Sequence, residues 1–138
     1  MAKTIQLDIV TPDKTVFSQA INMVIARTTD GDIGVLPGHI PLIAGLQIWP
    51  LRVLTDEGEK EIALCGGFIE VQPEKVTILA PCAEMPENID VARAQAARER
   101  AEIRLKTAPA DMDMERAELA LKRAMMRLKV AEDSKRFM

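Results

Sequence analysis

Four arginines near the C-terminal end of the chain have a spacing that suits phosphate binding. Arg93 and Arg100 are seven residues apart, and Arg123 and Arg127 are four apart, so each pair shares one face of a helix. Guanidinium groups are always charged and bind phosphate oxygens through paired hydrogen bonds. If two such helices close on each other, we expect the guanidiniums to converge on a phosphorylated ligand.

Asp90 precedes these arginines and has two candidate roles. As the first residue of a helix it can cap the backbone, and beside a nucleotide it can accept hydrogen bonds from a ribose or an adenine amine. A second interpretation of the arginines also stays open. Paired with Glu99, Glu102 and Glu118, they would form an ordinary solvated helix face.

The sequence offers no catalytic set. Ser18 and Ser134 are the only serines, and neither lies in a nucleophile-elbow motif. His39, the single histidine, follows Pro37-Gly38, where we expect a structural or interface role. The chain also lacks a GxxxxGK phosphate loop. An enzyme is therefore disfavoured.

The two cysteines do not have the spacing of a metal site. Cys65 and Cys82 lie 17 residues apart, without a CxxC motif, and each falls in an apolar, strand-like run. We expect them to be small buried side chains in a reducing compartment.

The composition changes at about Glu87. All seven glycines and seven of the eight prolines precede it, whereas eleven alanines follow it. Glycine and proline mark turns between strands, and alanine is the strongest helix former. We predict a β-sandwich domain over residues 1–86 and a helical domain over residues 87–138.

The first domain is predicted to be all-β. Residues 4–10 alternate apolar and polar side chains, and short strand-like runs follow at regular intervals. Residues 34–38 are predicted to form a loop, and Pro41 and Gly45 to interrupt the next stretch. Gly66-Gly67 predicts a bulge or a close approach of two backbones between separate strands over 60–65 and 68–71.

The second domain is predicted to be an antiparallel hairpin of two helices. The first begins at Asn88 or Asp90 and ends at Lys106, and the second runs from a cap at Asp113 to about Glu132. The predicted contact seams are Ala94, Ala97, Ala101 and Leu105 on the first helix, and Ala117, Leu121, Ala124, Leu128 and Ala131 on the second. Alanine buries little area, so the hairpin needs the sandwich, a ligand or a partner for stability.

Charge and hydropathy exclude two classes of protein. Residues 1–86 carry 6 basic and 11 acidic side chains, a net of −5, which argues against nucleic-acid binding. Residues 87–138 carry 12 basic and 10 acidic, a net of +2. No apolar run approaches the roughly 20 residues of a membrane span, and the start lacks the plan of a signal peptide. We expect a location in, or facing, the cytoplasm.

Four segments, in order along the chain, resemble the epsilon subunits of rotary ATP synthases. Residues 30–42 resemble the family's signature loop, and residues 66–71, 76–80 and 83–84 resemble its last strands. Residues 89–94 resemble its I/L-D-x-x-R-A nucleotide motif, and residues 116–124 its second tail helix.

The resemblance implies an α+β fold, with an N-terminal β-sandwich followed by a C-terminal two-helix hairpin. It implies a non-catalytic central-stalk subunit of a proton-translocating ATP synthase, peripheral to the cytoplasmic face of the membrane. Its partners would be the gamma subunit and the c-ring, with Asp32 and His39 at the rotor interface.

The resemblance also implies a regulatory role for the hairpin. Extended, it would reach the beta and alpha subunits and block ATP hydrolysis. Folded, it would bind ATP as a regulatory ligand, with no required cofactor and no metal site. The residues implied in nucleotide binding are Glu84, Ile89, Asp90, Arg93, Ala94, Arg100, Arg123 and Arg127.

Two other functions stay open at this point. A stand-alone nucleotide sensor would use the same arginine hairpin but would not associate with gamma. An enzyme built on the β-sandwich would need a catalytic set that the sequence does not display.

Overall fold

The computed structural model describes residues 3–107 and 113–136. Nine strands precede the helices in this part of the chain: β1 Ile5–Val10, β2 Thr15–Ile21, β3 Met23–Thr28, β4 Gly31–Val35, β5 Leu42–Ile48, β6 Leu51–Thr55, β7 Gly58–Val71, β8 Lys75–Leu79 and β9 Ala83–Glu84. A 3-10 turn, Pro86–Asn88, leads into helix α1 (Val91–Thr107), and helix α2 (Met114–Arg136) follows. The α+β fold is therefore confirmed.

The strands form two layers that share β7. One layer has the order β2-β1-β8-β7-β5, and the other joins β4, β3 and β6 to the beginning of β7. Strands β1 and β8 are parallel, and the other neighbours are antiparallel. The predicted division of β7 at Gly66-Gly67 is wrong, because the strand runs unbroken for 14 residues.

The glycine pair does mark a close backbone approach, as predicted. Gly67 has φ of 108°, and a Cβ there would lie 2.8 Å from the Cα of Ala80. The predicted irregularity around Gly34 and Gly45 is only partly correct. Gly34 belongs to β4, and Gly45 lies within β5 opposite Phe68, so β-sheet pairing overrides the local preference of glycine.

The core lies between the two layers and is almost wholly aliphatic. Alternate residues Ile5, Leu7 and Ile9 of β1 are buried, which is the period expected for a strand with one face in the core. Buried residues of β3, β6, β7 and β8 complete the same cluster. The sandwich therefore has a core of its own, independent of the helices.

The helices agree with the predicted hairpin. Asp90 caps α1 by accepting a hydrogen bond from the backbone N–H of Arg93 at 3.0 Å, and Asp113 caps α2 from Arg116 at 3.1 Å. The seam residues of both helices are buried or half-buried, and the helices pack along them. Helix α2 ends at Arg136, four residues beyond the predicted end.

Candidate functional site

Helix α2 has two buried faces. Ala117 and Ala124 face the seam with α1, whereas Met126 and Val130 pack on the sandwich. The second face contacts Ala63 of β7, and the hairpin is thus folded down onto the β-sandwich. Sequence reasoning found the alanine seam but missed this face. Its signal was the apolar pair at positions 126 and 130, which share a helix face.

An ion pair fixes α2 to the edge of the sandwich. The Nε of Arg127 donates a hydrogen bond to the Oε1 of Glu84 at 2.5 Å, and both side chains are largely shielded from solvent. Glu84 lies in the two-residue strand β9, which pairs with Ala63 and Leu64 of β7. Two residues of the predicted nucleotide site, 43 positions apart, are therefore in direct contact.

The cysteines next to this ion pair are joined, contrary to expectation. Cys65 of β7 and Cys82 form a disulfide, and their Cα atoms lie 5.3 Å apart. The expectation of two separate, reduced cysteines is wrong, because residues 17 apart in sequence become neighbours when β9 pairs with β7. The Nη2 of Arg127 reaches both sulfurs, at 3.3 Å from Cys82 and 3.6 Å from Cys65.

Three residues of the predicted nucleotide motif have structural roles in this conformation. Ile89 is buried beneath α2 with Met126 and Val130, and Ala94 is buried in the helix seam. Asp90 is exposed and occupied as the helix cap. The motif thus positions the start of α1 against both α2 and the sandwich.

The remaining three arginines project from the hairpin. Arg93 and Arg100 are exposed on α1, and Arg123 is half-buried on α2. Within residues 3–107 and 113–136, none of them forms an ion pair with a carboxylate. The solvated-face pairing weighed above is not formed by these arginines, since the carboxylate of Glu102 instead pairs with Arg98 at 2.7 Å.

Two clefts of about 380 and 390 Å³ lie between the helical region and the sandwich, beside the contact of α2 with β7. The first lies between the β6–β7 hairpin, around Glu57, and Ser134 of α2. The second lies between Trp49 and the α2 residues Lys122 and Met125. Neither is lined by a residue of the predicted nucleotide site.

A carboxyl pair joins α2 to the sandwich beside the first cleft. Burial raises the pKa of Glu61 to about 7, and a hydrogen bond with Asp133 of α2 contributes to the same shift. Lys129 opposes the shift and Glu59 adds to it. The contact therefore forms best when Glu61 carries its proton.

The two predicted rotor-interface residues lie in different settings. Asp32 of β4 accepts a hydrogen bond from the Nε of Arg27 at 2.8 Å, which lowers the pKa of the Asp32 carboxyl. The Arg27 guanidinium also stacks over the ring of Trp49 at 3.7 Å. His39 lies in the loop after β4, where its ring Nδ1 is 2.7 Å from the carbonyl oxygen of Ile40.

An exposed apolar surface accompanies His39, and sequence reasoning missed most of it. Ile43, Phe68 and Leu79 lie on one outer face of adjacent strands, because Gly45 pairs with Phe68 and Phe68 with Leu79. They are 55–73% exposed. Leu36 and Ile40 are also exposed in the β4–β5 loop. We call these five residues the outer apolar face.

Within the described part of the chain, no helix is long and apolar enough to cross a bilayer. The same residues contain no group of three or more His, Cys, Asp or Glu side chains arranged to hold a metal ion.

Comparison with known families gives two matches in series. The profile "ATP synthase, Delta/Epsilon chain, beta-sandwich domain" matches residues 4–86. The profile "ATP synthase, Delta/Epsilon chain, long alpha-helix domain" matches residues 87–132. Together they cover nearly the whole chain.

Curated relatives agree with these profiles. The ATP synthase epsilon chain of Alkalihalophilus pseudofirmus is 51% identical over 104 residues, which are 75% of this chain and 78% of the relative. The ATP synthase epsilon chain of Bacillus subtilis is 51% identical over 105 residues, which are 76% of this chain and 80% of the relative.

Solved structures support the fold. A chain from the Euglena gracilis mitochondrial ATP synthase (OSCP/F1/c-ring) superposes with a TM-score of 0.76 at 24% identity, covering 96% of this chain and 81% of that one. A chain from the Tetrahymena thermophila mitochondrial ATP synthase central stalk and c-ring gives 0.60 at 14% identity, covering 96% of each.

Proposed function

This chain belongs to the ATP synthase delta/epsilon chain family, and from that premise we propose that its helical hairpin is a movable regulatory arm. The chain is a non-catalytic subunit of the ATP synthase central stalk. Extended towards the alpha and beta subunits, the arm inhibits ATP hydrolysis. Folded on the sandwich, it permits rotation, and bound ATP favours this folded state.

The small contact between α2 and the sandwich supports a movable arm. It includes one apolar cluster of five buried residues, with Ile48 and Cys65 packed against it. The polar contacts are the Arg127–Glu84 ion pair, the approach of Arg127 to the two cysteine sulfurs and the Glu61–Asp133 contact. The sandwich keeps its own core when α2 leaves, because the residues of that core come from the strands. The helix seam is rich in alanine and contributes little area at about 25 cal/mol per Å².

The observation that best supports ATP binding is that three arginines of the predicted nucleotide site have no carboxylate partner among the described residues. Arg93, Arg100 and Arg123 come from both helices, and among the described residues no carboxylate neutralises them. We assign these three to the phosphates. Arg127 and Glu84 contribute by holding α2 against β9, while Ile89, Asp90 and Ala94 fix the start of α1.

A ligand that binds the folded arm and not the extended one can shift the equilibrium between the two states. A ligand at about a hundred times its Kd stabilises the state that binds it by about 2.7 kcal/mol. The arm would then stay folded when ATP is abundant and would extend to inhibit hydrolysis when ATP is scarce.

The site is tested by titrating ATP against the chain and its Arg93→Ala variant by calorimetry. The proposal predicts saturable binding that the variant loses. Arg104→Ala is the matched control, since Arg104 is an exposed arginine of α1 outside the motif. No saturable heat at millimolar ATP would refute the sensor, and equal binding by Arg93→Ala would refute the assigned site.

The outer apolar face is the proposed contact with the rotor. Large exposed apolar patches on monomers mark interaction surfaces, and this one combines a sheet face with the β4–β5 loop. We assign the sheet face to gamma, and the loop with His39 to the c-ring. Asp32 lies on β4, the strand that leads into this loop, and its charge is paired to Arg27, so it would orient β4 rather than contact the rotor directly.

Co-purification with gamma tests this assignment. Phe68→Ser should weaken the association without unfolding the chain, because the side chain is 62% exposed. Ile103→Ser, which alters an equally exposed residue of α1, should leave it unchanged. If the unaltered chain failed to bind gamma, the stand-alone nucleotide sensor would be favoured instead.

As a subunit of the rotor, the protein is proposed to lie at the cytoplasmic face of the membrane.

A further inference from the structure

We propose that Cys65 and Cys82 form a thiol–disulfide exchange site whose thiolate is stabilised by Arg127 of the folded arm. Three features on different elements meet at this point: Cys65 on β7, Cys82 beside β9, and the Arg127 guanidinium on α2. Neither the proposed nucleotide site nor the proposed rotor contact requires a disulfide between Cys65 and Cys82.

The geometry places a permanent positive charge at the sulfurs. The Nη2 of Arg127 lies 3.3 Å from the Sγ of Cys82 and 3.6 Å from the Sγ of Cys65, within hydrogen-bond range for sulfur. A neighbouring guanidinium lowers the pKa of a thiol and makes its thiolate the better leaving and attacking group. The Nε of the same side chain is held by Glu84, so Nη2 is directed at the sulfurs.

The two cysteines are also accessible enough to react. Both are half-buried, and Pro81, next to Cys82, is exposed. Reactive cysteines combine partial exposure with a positive environment, whereas purely structural ones are enclosed in apolar surroundings. Cys82 has the first combination, whereas Cys65 also packs against the apolar cluster beneath α2.

The exchange balances with a dithiol as the second reactant. A thiolate of the dithiol attacks one sulfur, the Cys65–Cys82 bond breaks, and its electron pair leaves on the other sulfur beside Arg127. The second thiolate of the dithiol then attacks the mixed disulfide and releases the remaining cysteine sulfur. The dithiol becomes a disulfide, and two electrons and two protons end on the pair of cysteines. The reverse sequence oxidises the pair.

The test measures the thiol pKa of the reduced full-length chain. After reduction with a phosphine and its removal, iodoacetamide alkylation of each cysteine is followed against pH by peptide mass spectrometry. The proposal predicts that Cys82 titrates below the ordinary value of about 8.5, and that Arg127→Met raises its pKa by roughly one unit, a tenfold loss of thiolate. Arg127→Lys should restore part of the shift.

Arg116→Met is the matched control, because it removes an exposed arginine from the same helix away from the sulfurs. The Cys82 thiol of Arg116→Met should have the same pKa as in the unaltered chain. If Arg127 had only a structural role, the Cys82 pKa would change in the opposite direction. Loss of the side chain would then release α2 and expose the thiols to water, which lowers their pKa. Equal or lower Cys82 pKa values in Arg127→Met overturn the proposal, whatever happens to ATP binding or arm movement.

Discussion

We predict that the Glu61–Asp133 contact makes the docking of α2 on the sandwich depend on pH. Glu61 of β7 faces Asp133 and Lys129 of α2, with Glu59 on its own strand and Arg52 on the neighbouring strand β6. When α2 leaves the sandwich, Glu61 returns to water and to its ordinary pKa of 4.5, whereas in the docked state its pKa is about 7. The docked state therefore binds a proton that the undocked state releases.

The direction of the pH dependence follows from the difference between the two Glu61 pKa values. Docking has its full contribution from Glu61 below pH 4.5 and loses it as the pH rises through about 7. Without screening by solvent, this difference in pKa would correspond to about 3 kcal/mol. Because the carboxyl is partly open to water, solvent screening reduces the expected effect to about 1 kcal/mol.

Trp49 provides the assay, since it is the only tryptophan and lines the cleft against α2. Urea titrations followed by its emission at about pH 5 and about pH 8 give the docking free energy at each pH. Glu61→Gln should abolish the difference of about 1 kcal/mol between them. Glu57→Gln, which changes an exposed residue of the β6–β7 turn, should retain the difference between the two pH values. Parallel pH dependence in the unaltered chain and Glu61→Gln would refute the reasoning.

Three further experiments test the packing, and two of them include a control substitution. Val130→Ala should weaken docking by about 2 kcal/mol in the Trp49 assay, because Val130 is fully buried. Leu119→Ala, at an exposed position, should change it by less than about 0.5 kcal/mol. Gly67→Ala should cost the sandwich at least about 3 kcal/mol in urea unfolding, since its Cβ would strike β8, whereas Gly38→Ala, with open space, should cost only about 1 kcal/mol. A double-mutant cycle on Arg127 and Glu84 should give a coupling of about 1 kcal/mol that falls with salt, and no coupling would remove this pair from the docking contact.

The sequence predicted the elements whose signal is local. The alternation in β1, the caps Asp90 and Asp113 and the heptad spacing of the alanines each depend on residues close together along the chain. The resemblance in four segments added the family, which the two matched profiles confirm.

Contacts that depend on tertiary pairing were not predicted. The Cys65–Cys82 bond and the Arg127–Glu84 pair arise only when β9 joins β7 and α2 packs above them. The Glu61–Asp133 contact joins residues that look like ordinary surface acids in sequence. Continuous strand pairing through Gly45 and Gly67 likewise depends on partners that a single segment does not reveal.

Arm movement is tested most directly by the distance between spin labels on the sandwich at Glu57 and on α2 at Lys135, in the assembled ATP synthase. Both side chains are exposed. Without ATP, the distance distribution should contain a long component from the extended arm beside the short one. Excess ATP should convert it to the short distance alone, and Arg93→Ala should prevent that conversion. A single short distance under both conditions would contradict the proposal that the hairpin is a movable, ATP-controlled arm.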